Sequence, residues 1–319
     1  MITLGEFFRE AINAGIKADP RGEKGVKKAL KREKEAFLEL SKEEKKDFDK
    51  ERLINPYADS RILFGKEDLP LKRVLAGIDI TPAEVLLAKE LERMGKKIDL
   101  ILSHHPLGKA LASLDHVMHL QIDVLESLGV PVNIAESLMR SRISEVFRAL
   151  APLNHEQAVD AARLLGIAIA CVHTPADNLA FSLVDNLVKK KKPETVGLVI
   201  KILETIPEYK LAKEKGVYIQ VVAGEKRNRA GRVVVSEFTG GTNAGKEIYE
   251  RLSLAGVGTI LSMHMREEHL KEAKRHHLNA IVAPHIASDS LGFNQILDLL
   301  EKRGVEVIAC SGLLRVRRL

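Results

Sequence analysis

The chain of 319 residues is 45% hydrophobic, which is enough for one large α/β unit or two domains around a packed core. Its net charge of +6 is concentrated in residues 189–192 and 315–318, and aromatic residues make up only 4%, so a solvated basic surface is favoured over a nucleic-acid interface. Two cysteines exclude a disulfide scaffold, and no apolar run approaches the ~18 residues of a membrane span, so we expect a cytoplasmic protein.

The order of elements predicts an α/β fold. Residues 1–70 form a helical, peripheral extension, because sparse apolar residues recur there at helical spacing among alternating Lys and Glu. Residues 71–178 form a first α/β half with strands at 74–80, 98–102, 130–135 and 167–172. Residues 179–240 form a helical insertion that ends in a hairpin of strands 217–222 and 232–238. Residues 241–319 form a second half with strands at 259–262, 280–283 and 305–309.

One spacing occurs twice in these predicted halves. Gly77 precedes His104 by 27 residues, and Gly258 precedes His285 by the same 27 residues, each across a strand, a helix and a second strand. Two similar α/β halves with mostly parallel sheets would deliver these histidines to one shared cleft.

Three predicted strands end in residues that bind metals. Each has a histidine within two residues of its end, and two of these histidines have an aspartate four residues later; the set is His104, His105, His173, Asp177, His285 and Asp289. The carboxyl ends of parallel strands meet at one edge of a sheet, where ligands bind. Imidazole and carboxylate groups suit Zn, Mn, Fe or Co. The pattern therefore predicts a metal site. Neighbouring residues of an extended segment point to opposite sides, so His104 and His105 either serve different ions, or one binds and the other orients it.

The segments that carry these residues resemble a known family. Ile101-Leu-Ser-His-His-Pro-Leu107, His173-Thr-x-x-Asp177 and His285-x-x-x-Asp289 resemble, in order, the three signatures of the Nif-three-like family, which includes homologues of type-two GTP cyclohydrolase. The resemblance extends from about residue 74 to the end. It implies a homohexamer of α/β subunits with a dinuclear metal centre in a cleft facing the interior. The implied ligands of the two divalent ions are His104, His105, Asp177, His285 and Asp289.

The sequence departs from this family at two positions. Asp289 stands where the last signature ends in Glu, and Met263-His264 stands where a Gly-Glu pair is usual. A pair of metal ions activates water and polarises a carbonyl or phosphoryl oxygen, so the first functional hypothesis is a metal-dependent hydrolase, with a purine nucleotide as the substrate that the resemblance suggests. His173, His264 and Glu268 are the candidates for proton transfer.

Two alternatives remain open. Residues 240–246 follow the spacing of a phosphate-binding P-loop, with Gly240, Gly245 and Lys246 as candidate nucleotide-binding residues, but Glu247 replaces the hydroxyl residue that binds Mg²⁺. A glycine-rich turn before a helix explains the same residues equally well. The alternatives are therefore a nucleotide-binding NTPase and a non-catalytic metal-binding or metal-chaperone scaffold.

Overall fold

The computed structural model describes residues 2–319, which form an α/β protein with two sheets. The strands of this part of the chain are Arg61–Phe64 (β1), Arg73–Gly77 (β2), Leu100–Ser103 (β3), Ala168–Cys171 (β4), Gln220–Ala223 (β5), Arg232–Val235 (β6), Val257–Ser262 (β7), Asn279–Val282 (β8) and Glu306–Cys310 (β9). The α-helices are Leu4–Ala18 (α1), Gly22–Glu39 (α2), Glu44–Asp47 (α3), Pro82–Arg93 (α4), Gly108–Ala112 (α5), Leu114–Val117 (α6), Leu120–Ser127 (α7), Val132–Leu150 (α8), Gln157–Leu165 (α9), Thr174–Lys191 (α10), Val196–Leu203 (α11), Pro207–Glu214 (α12), Ile248–Leu254 (α13), Glu267–Arg275 (α14) and His285–Glu301 (α15). A short 3₁₀ helix, Lys50–Leu53, precedes β1.

The two sheets share one strand order, apart from an added edge strand in the first. The first sheet runs β1-β4-β3-β2-β9 and the second runs β5-β8-β7-β6. In the first sheet the edge strand β1 pairs antiparallel with β4, and β4 is parallel to its other neighbour, β3. In the second sheet the edge strand β5 pairs antiparallel with β8, and β8 is parallel to its other neighbour, β7. This confirms the predicted fold of two similar α/β halves with mostly parallel sheets. It also makes α10 and α15, which follow β4 and β8, equivalent helices.

The repeated spacing of 27 residues between glycine and histidine does not identify equivalent strands of the two halves. Gly77 is the last residue of β2, whereas Gly258 is the second residue of β7. By sheet order β3 corresponds to β7, so the two glycines occupy unrelated positions. Strand–helix–strand units have similar lengths, so equal spacing alone does not identify equivalent strands.

Strand pairing differs from the sequence-based assignment in three places. β5 and β6 do not form a hairpin: they lie at opposite edges of the second sheet, pairing with β8 and β7. The connection 224–231 is long enough to cross the end of a four-stranded sheet, a span of roughly 14 Å at ~4.8 Å per strand. β9 pairs with β2 in the first sheet rather than joining the second half. Residues 132–135 begin α8 instead of forming a strand, because Pro131 starts a helix there.

The N-terminal helix is part of the core, so its prediction as peripheral is wrong. α1 begins with a capping box in which Thr3 and Glu6 bond each other's backbone N–H groups. Its Phe7 and Ala11 are fully buried in the cluster that covers the first sheet. α2, by contrast, is largely exposed and buries only Val26. The first sheet thus has helices on both faces, and its strand β3 is buried throughout.

No helix within residues 2–319 combines the length and the apolar character needed to cross a bilayer.

Candidate metal centre

The predicted ligand residues lie where the strands of the two halves end. His104 and His105 follow β3, and their backbone N–H groups donate to the carbonyls of Gly77 and Ile78 at the end of β2. His173 follows β4, and His285 is the first residue of α15 after β8. Asp177 lies in the first turn of α10, and Asp289 lies at the start of the second turn of the equivalent helix α15.

A glycine allows these two helices to approach closely enough for the halves to share a site. A Cβ atom built on Gly292 of α15 would lie 2.0 Å from the carbonyl oxygen of Ala176 in α10. No side chain fits at that distance, so only glycine permits this approach. The contact lies next to Asp177 and one turn from Asp289, which brings the two carboxylates close to each other.

The imidazole and carboxylate groups converge on one region. Nε2 of His104 lies 3.4 Å from Oδ1 of Asp177 and 3.6 Å from Oδ1 of Asp289. The other carboxylate oxygen, Oδ2 of Asp289, lies 3.3 Å from Nε2 of His105. Nε2 of His285 lies 3.5 Å from Oδ1 of Asp289. All five predicted ligands are therefore brought together, although they come from three separate parts of the chain.

The converging atoms lack the hydrogen bonds that buried polar groups normally make. Within residues 2–319, both ring nitrogens of His104 and both carboxylate oxygens of Asp289 are buried without a hydrogen-bond partner. An unpaired buried carboxylate costs several kcal/mol, roughly, unless a charge compensates for it. Three groups have ligand atoms within 4.8 Å of one another: His104 with His105 and His173, His105 with His285 and Asp289, and His104 with Asp177 and Asp289. These residues fit bound metal ions.

Burial and charge set the proton affinities of these groups. Burial lowers the pKa of His104 to about 4, which keeps its imidazole neutral, the form that binds metals. Burial also raises the pKa of Asp177 to about 8. For His105 burial alone would lower the pKa, but the carboxylates of Asp289 and Asp79 raise it to about 10. The pKa of Asp289 is lowered despite burial, because it faces His104 and His105.

Two further carboxylates orient histidines and were missed by sequence reasoning. Oδ2 of Asp59 lies 2.8 Å from Nδ1 of His173, and Oδ1 of Asp79 lies 2.7 Å from Nδ1 of His105. Asp79 could have been found, since it lies two residues after β2 at the same sheet edge. Asp59 lies in the turn before the antiparallel strand β1, and nothing in the local sequence distinguishes it from an ordinary turn residue.

Of the three candidates for proton transfer, His173 and His264 lie beside the predicted ligands, and Glu268 lies on the surface. The ring of His173 is 5.1 Å from the ring of His104, centroid to centroid, and His264 packs edge-on against His285 at 5.1 Å. Burial lowers the pKa of His264 to about 4, and no group in residues 2–319 forms a hydrogen bond with its buried Nδ1. Glu268 is exposed on α14, where its carboxylate lies 3.6 Å from Nζ of Lys246.

The glycine-rich loop packs closely against two helices. Gly240 and Gly241 adopt φ values of 86° and 90°, and Cβ atoms there would lie within 3.0 Å of side chains of α6 and α7. Two of its carbonyl groups accept hydrogen bonds from the Gln121 amide, those of Gly240 and Thr242, at 2.6 Å each. The helix that follows, α13, has only seven residues.

The fold and the site define an α/β protein whose buried His and Asp groups could hold metal ions. Solved structures similar to it come from several organisms. The NIF3 superfamily protein from Sphaerobacter thermophilus is 31% identical with a TM-score of 0.70, over 80% of this chain and 92% of that one. Reduced HcgD from Methanocaldococcus jannaschii is 14% identical with a TM-score of 0.49, over 81% and 94%. A Bacillus cereus protein related to NIF3 is 12% identical with a TM-score of 0.40, over 82% and 93%.

No protein-family profile and no curated protein matches the chain. The identity and coverage of the Sphaerobacter structure nevertheless decide the family. The chain belongs to the NIF3 superfamily.

Proposed function

We propose that this protein is a hydrolase that depends on two divalent metal ions held by His104, His105, Asp177, His285 and Asp289. The proposal rests on one observation. Within residues 2–319, the ring nitrogens of His104 and the carboxylate oxygens of Asp289 are buried without hydrogen-bond partners, and both residues belong to groups of side chains that could hold a metal ion. Buried polar atoms without partners are rare and call for an explanation such as a bound ion. The donor set of imidazoles and carboxylates suits Zn, Fe, Mn or Co.

Two ions in this position would lower the pKa of a bound water and polarise an oxygen of the substrate. The chain itself supplies the surroundings of that chemistry. Asp79 fixes the ring of His105, and Asp59 fixes that of His173. His264, which packs against His285, would accept or donate a proton at its Nδ1 in this proposal. Glu268 would act only after turning away from Lys246, and it is the weakest of the three proton-transfer candidates.

A purine nucleotide is the proposed substrate, following the family resemblance to type-two GTP cyclohydrolase. The proposed setting is the cytoplasm, which agrees with the two free cysteines, Cys171 and Cys310. The proposed assembly is the homohexamer that the same resemblance implies, and light scattering of the purified protein tests it.

The test is hydrolysis of GTP and related nucleotides by the metal-loaded protein, the chelated protein and the His104→Ala variant. Ring opening that needs transition metal and His104 supports the proposal. Release of γ-phosphate that needs only Mg²⁺ and survives loss of His104 would favour a P-loop NTPase using Gly240, Gly245 and Lys246. Metal exchange without turnover of any substrate would favour a non-catalytic metal-binding or chaperone scaffold.

A further inference from the structure

Two basic segments that are distant in the sequence meet at the end of the second sheet that is opposite to the metal centre. Residues 185–195, at the end of α10, and residues 225–232, which lead into β6, together contain eight Lys or Arg residues and three Asp or Glu residues. They therefore carry +5 of the chain's net charge of +6, and the rest of the chain is close to neutral. Because an α-helix rises ~1.5 Å per residue, Lys192 lies roughly 22 Å along α10 from Asp177. This basic surface is thus separate from the metal centre.

Backbone hydrogen bonds hold the two segments against each other. The N–H group of Gly197 donates to the carbonyl oxygen of Lys226 at 2.8 Å, and that of Ala230 donates to the carbonyl oxygen of Glu194 at 2.9 Å. Between the segments lies a groove of about 830 Å³, which we call the basic groove. Its charged lining residues are Lys189, Lys192, Arg227 and Arg229, together with one acidic residue, Glu194.

The positive charges of the basic groove are only partly neutralised by the protein itself. Lys189 and Arg227 each bond one acidic neighbour at 2.7 Å, but within residues 2–319 Lys192 and Arg229 have no ion-pair partner. Lysines in the last turn of a helix complement the negative end of its dipole, which accounts for Lys189. The dipole does not account for Arg229, which lies on the connection before β6. Like charges held together repel each other and lower stability, so an anionic partner would relieve this cost.

The lining of the basic groove favours the phosphate backbone of a nucleic-acid duplex over other anions. None of the residues that line it, all of them within 2–319, is aromatic, so unpaired bases would find no surface to stack on. The side-chain amide of Asn228, on the same connection, bonds Oδ1 of Asn279 at 3.0 Å and is not free to read base edges. No large apolar side chain of the groove is exposed for insertion into a lipid bilayer. The side chains of Lys189 and Arg227 are 73% and 85% exposed, which suits an extended partner better than an enclosed small molecule.

We propose that the basic groove binds the phosphate backbone of a nucleic-acid duplex without reading its sequence. The sequence alone favoured a solvated surface for residues 189–192, because no aromatic residues accompany them, but a duplex bound only through its phosphates needs none. Duplex DNA and duplex RNA share this backbone charge, and the experiment separates them. The inference goes beyond the proposed hydrolase and does not depend on bound metal.

The experiment is titration of a fluorescently labelled DNA duplex of about 20 base pairs, and of an RNA duplex of the same sequence, with the full-length protein. Anisotropy is followed between about 50 and 200 mM salt. The wild-type affinity for DNA should fall with salt with a logarithmic slope of about −4, if all four basic side chains of the groove meet phosphates. The double variant Lys192→Gln and Arg229→Gln should reduce this slope by about 2 and weaken binding by more than about 10-fold at the lowest salt. The duplex that binds more tightly identifies the source of the backbone.

The matched control is the double variant Lys24→Gln and Lys27→Gln, which lowers the net charge equally at exposed positions of α2. It should change neither the affinity nor the slope. Exchange of the two charged types, in Lys192→Arg with Arg229→Lys, keeps the charge and should bind as the wild-type protein does. Thermal unfolding verifies that each variant is folded, and Lys189→Gln with Arg227→Gln is the second pair if the first is not. Equal binding by the wild-type protein and a folded groove variant, or no binding of either duplex, would overturn the inference and leave the proposed hydrolase intact. Binding of phosphatidylserine vesicles in preference to both duplexes would overturn it in favour of a membrane contact.

Discussion

The close approach of α10 and α15 makes Gly292→Ala the most informative change in the fold. The new Cβ would lie 2.0 Å from the carbonyl oxygen of Ala176, 2.7 Å from its carbon and 3.1 Å from the amide nitrogen of Ala180. Carbon–oxygen contacts need more than about 3 Å, so the two helices must separate by roughly 1 Å. Both lie in well-packed cores, in which overpacking of this kind costs about 1–3 kcal/mol.

The expected result is a fall in thermal stability together with weaker metal binding, because separation of the helices also moves Asp177 away from Asp289. A loss of 1–3 kcal/mol corresponds to a fall in Tm of roughly 1.5–5 °C for a chain of this size. Calorimetry measures the first effect, and Co²⁺ titration with a competing chelator measures the second. Asn186→Ala on the exposed part of α10 removes only a bond to Oγ of Ser182 at 3.2 Å, and it should alter neither quantity measurably. Unchanged metal affinity in a clearly destabilised Gly292→Ala would refute the link between helix packing and the site.

Two other changes test the site and its surroundings. Asp289→Asn should reduce metal affinity by more than about 100-fold, because it removes the negative charge that Asp289 supplies both to the group with His105 and His285 and to the group with His104 and Asp177. If the variant binds Co²⁺ as tightly as the wild-type protein in the same titration, Asp289 is not a ligand. Glu237 bonds Ser262 and Tyr249, and burial raises the pKa of its carboxyl from 4.5 to about 7, so the folded state holds this proton more tightly than the unfolded state. The free energy of unfolding of the wild-type protein should therefore fall by about 3 kcal/mol relative to that of Glu237→Gln as pH rises from 4.5 to 7, and the difference should not change further above pH 7. Denaturant unfolding across this pH range measures both free energies. The same pH dependence of stability in the two proteins would contradict the prediction.

The ligand residues could be predicted from the sequence because each follows an apolar run that ends in a polar turn. Buried parallel strands are recognisable as such runs, and the rule that ligands gather at their carboxyl ends needs no knowledge of strand order. For this reason His104, His173 and His285 could be placed at the carboxyl ends of strands before the fold was known.

Strand pairing and the supporting residues could not be predicted in the same way. Adjacent strands with a turn between them usually form a hairpin, and only the packing of the second sheet separates β5 from β6. Asp59 orients His173 across 114 positions of sequence, a contact that depends on the antiparallel pairing of β1 with β4. Gly292 shows the same limit, because only its distance from Ala176 reveals why it is glycine.

The central claim is that two ions bind where the ligands of both halves meet, and anomalous diffraction at the absorption edge of the bound metal tests it directly. Crystals grown with Zn²⁺ or Co²⁺ should show two peaks, one beside His104 and Asp177 and one beside His105 and His285, with Asp289 between them. The absence of any peak within bonding distance of these residues, in crystals that diffract well and have been soaked in the metal, would contradict the account.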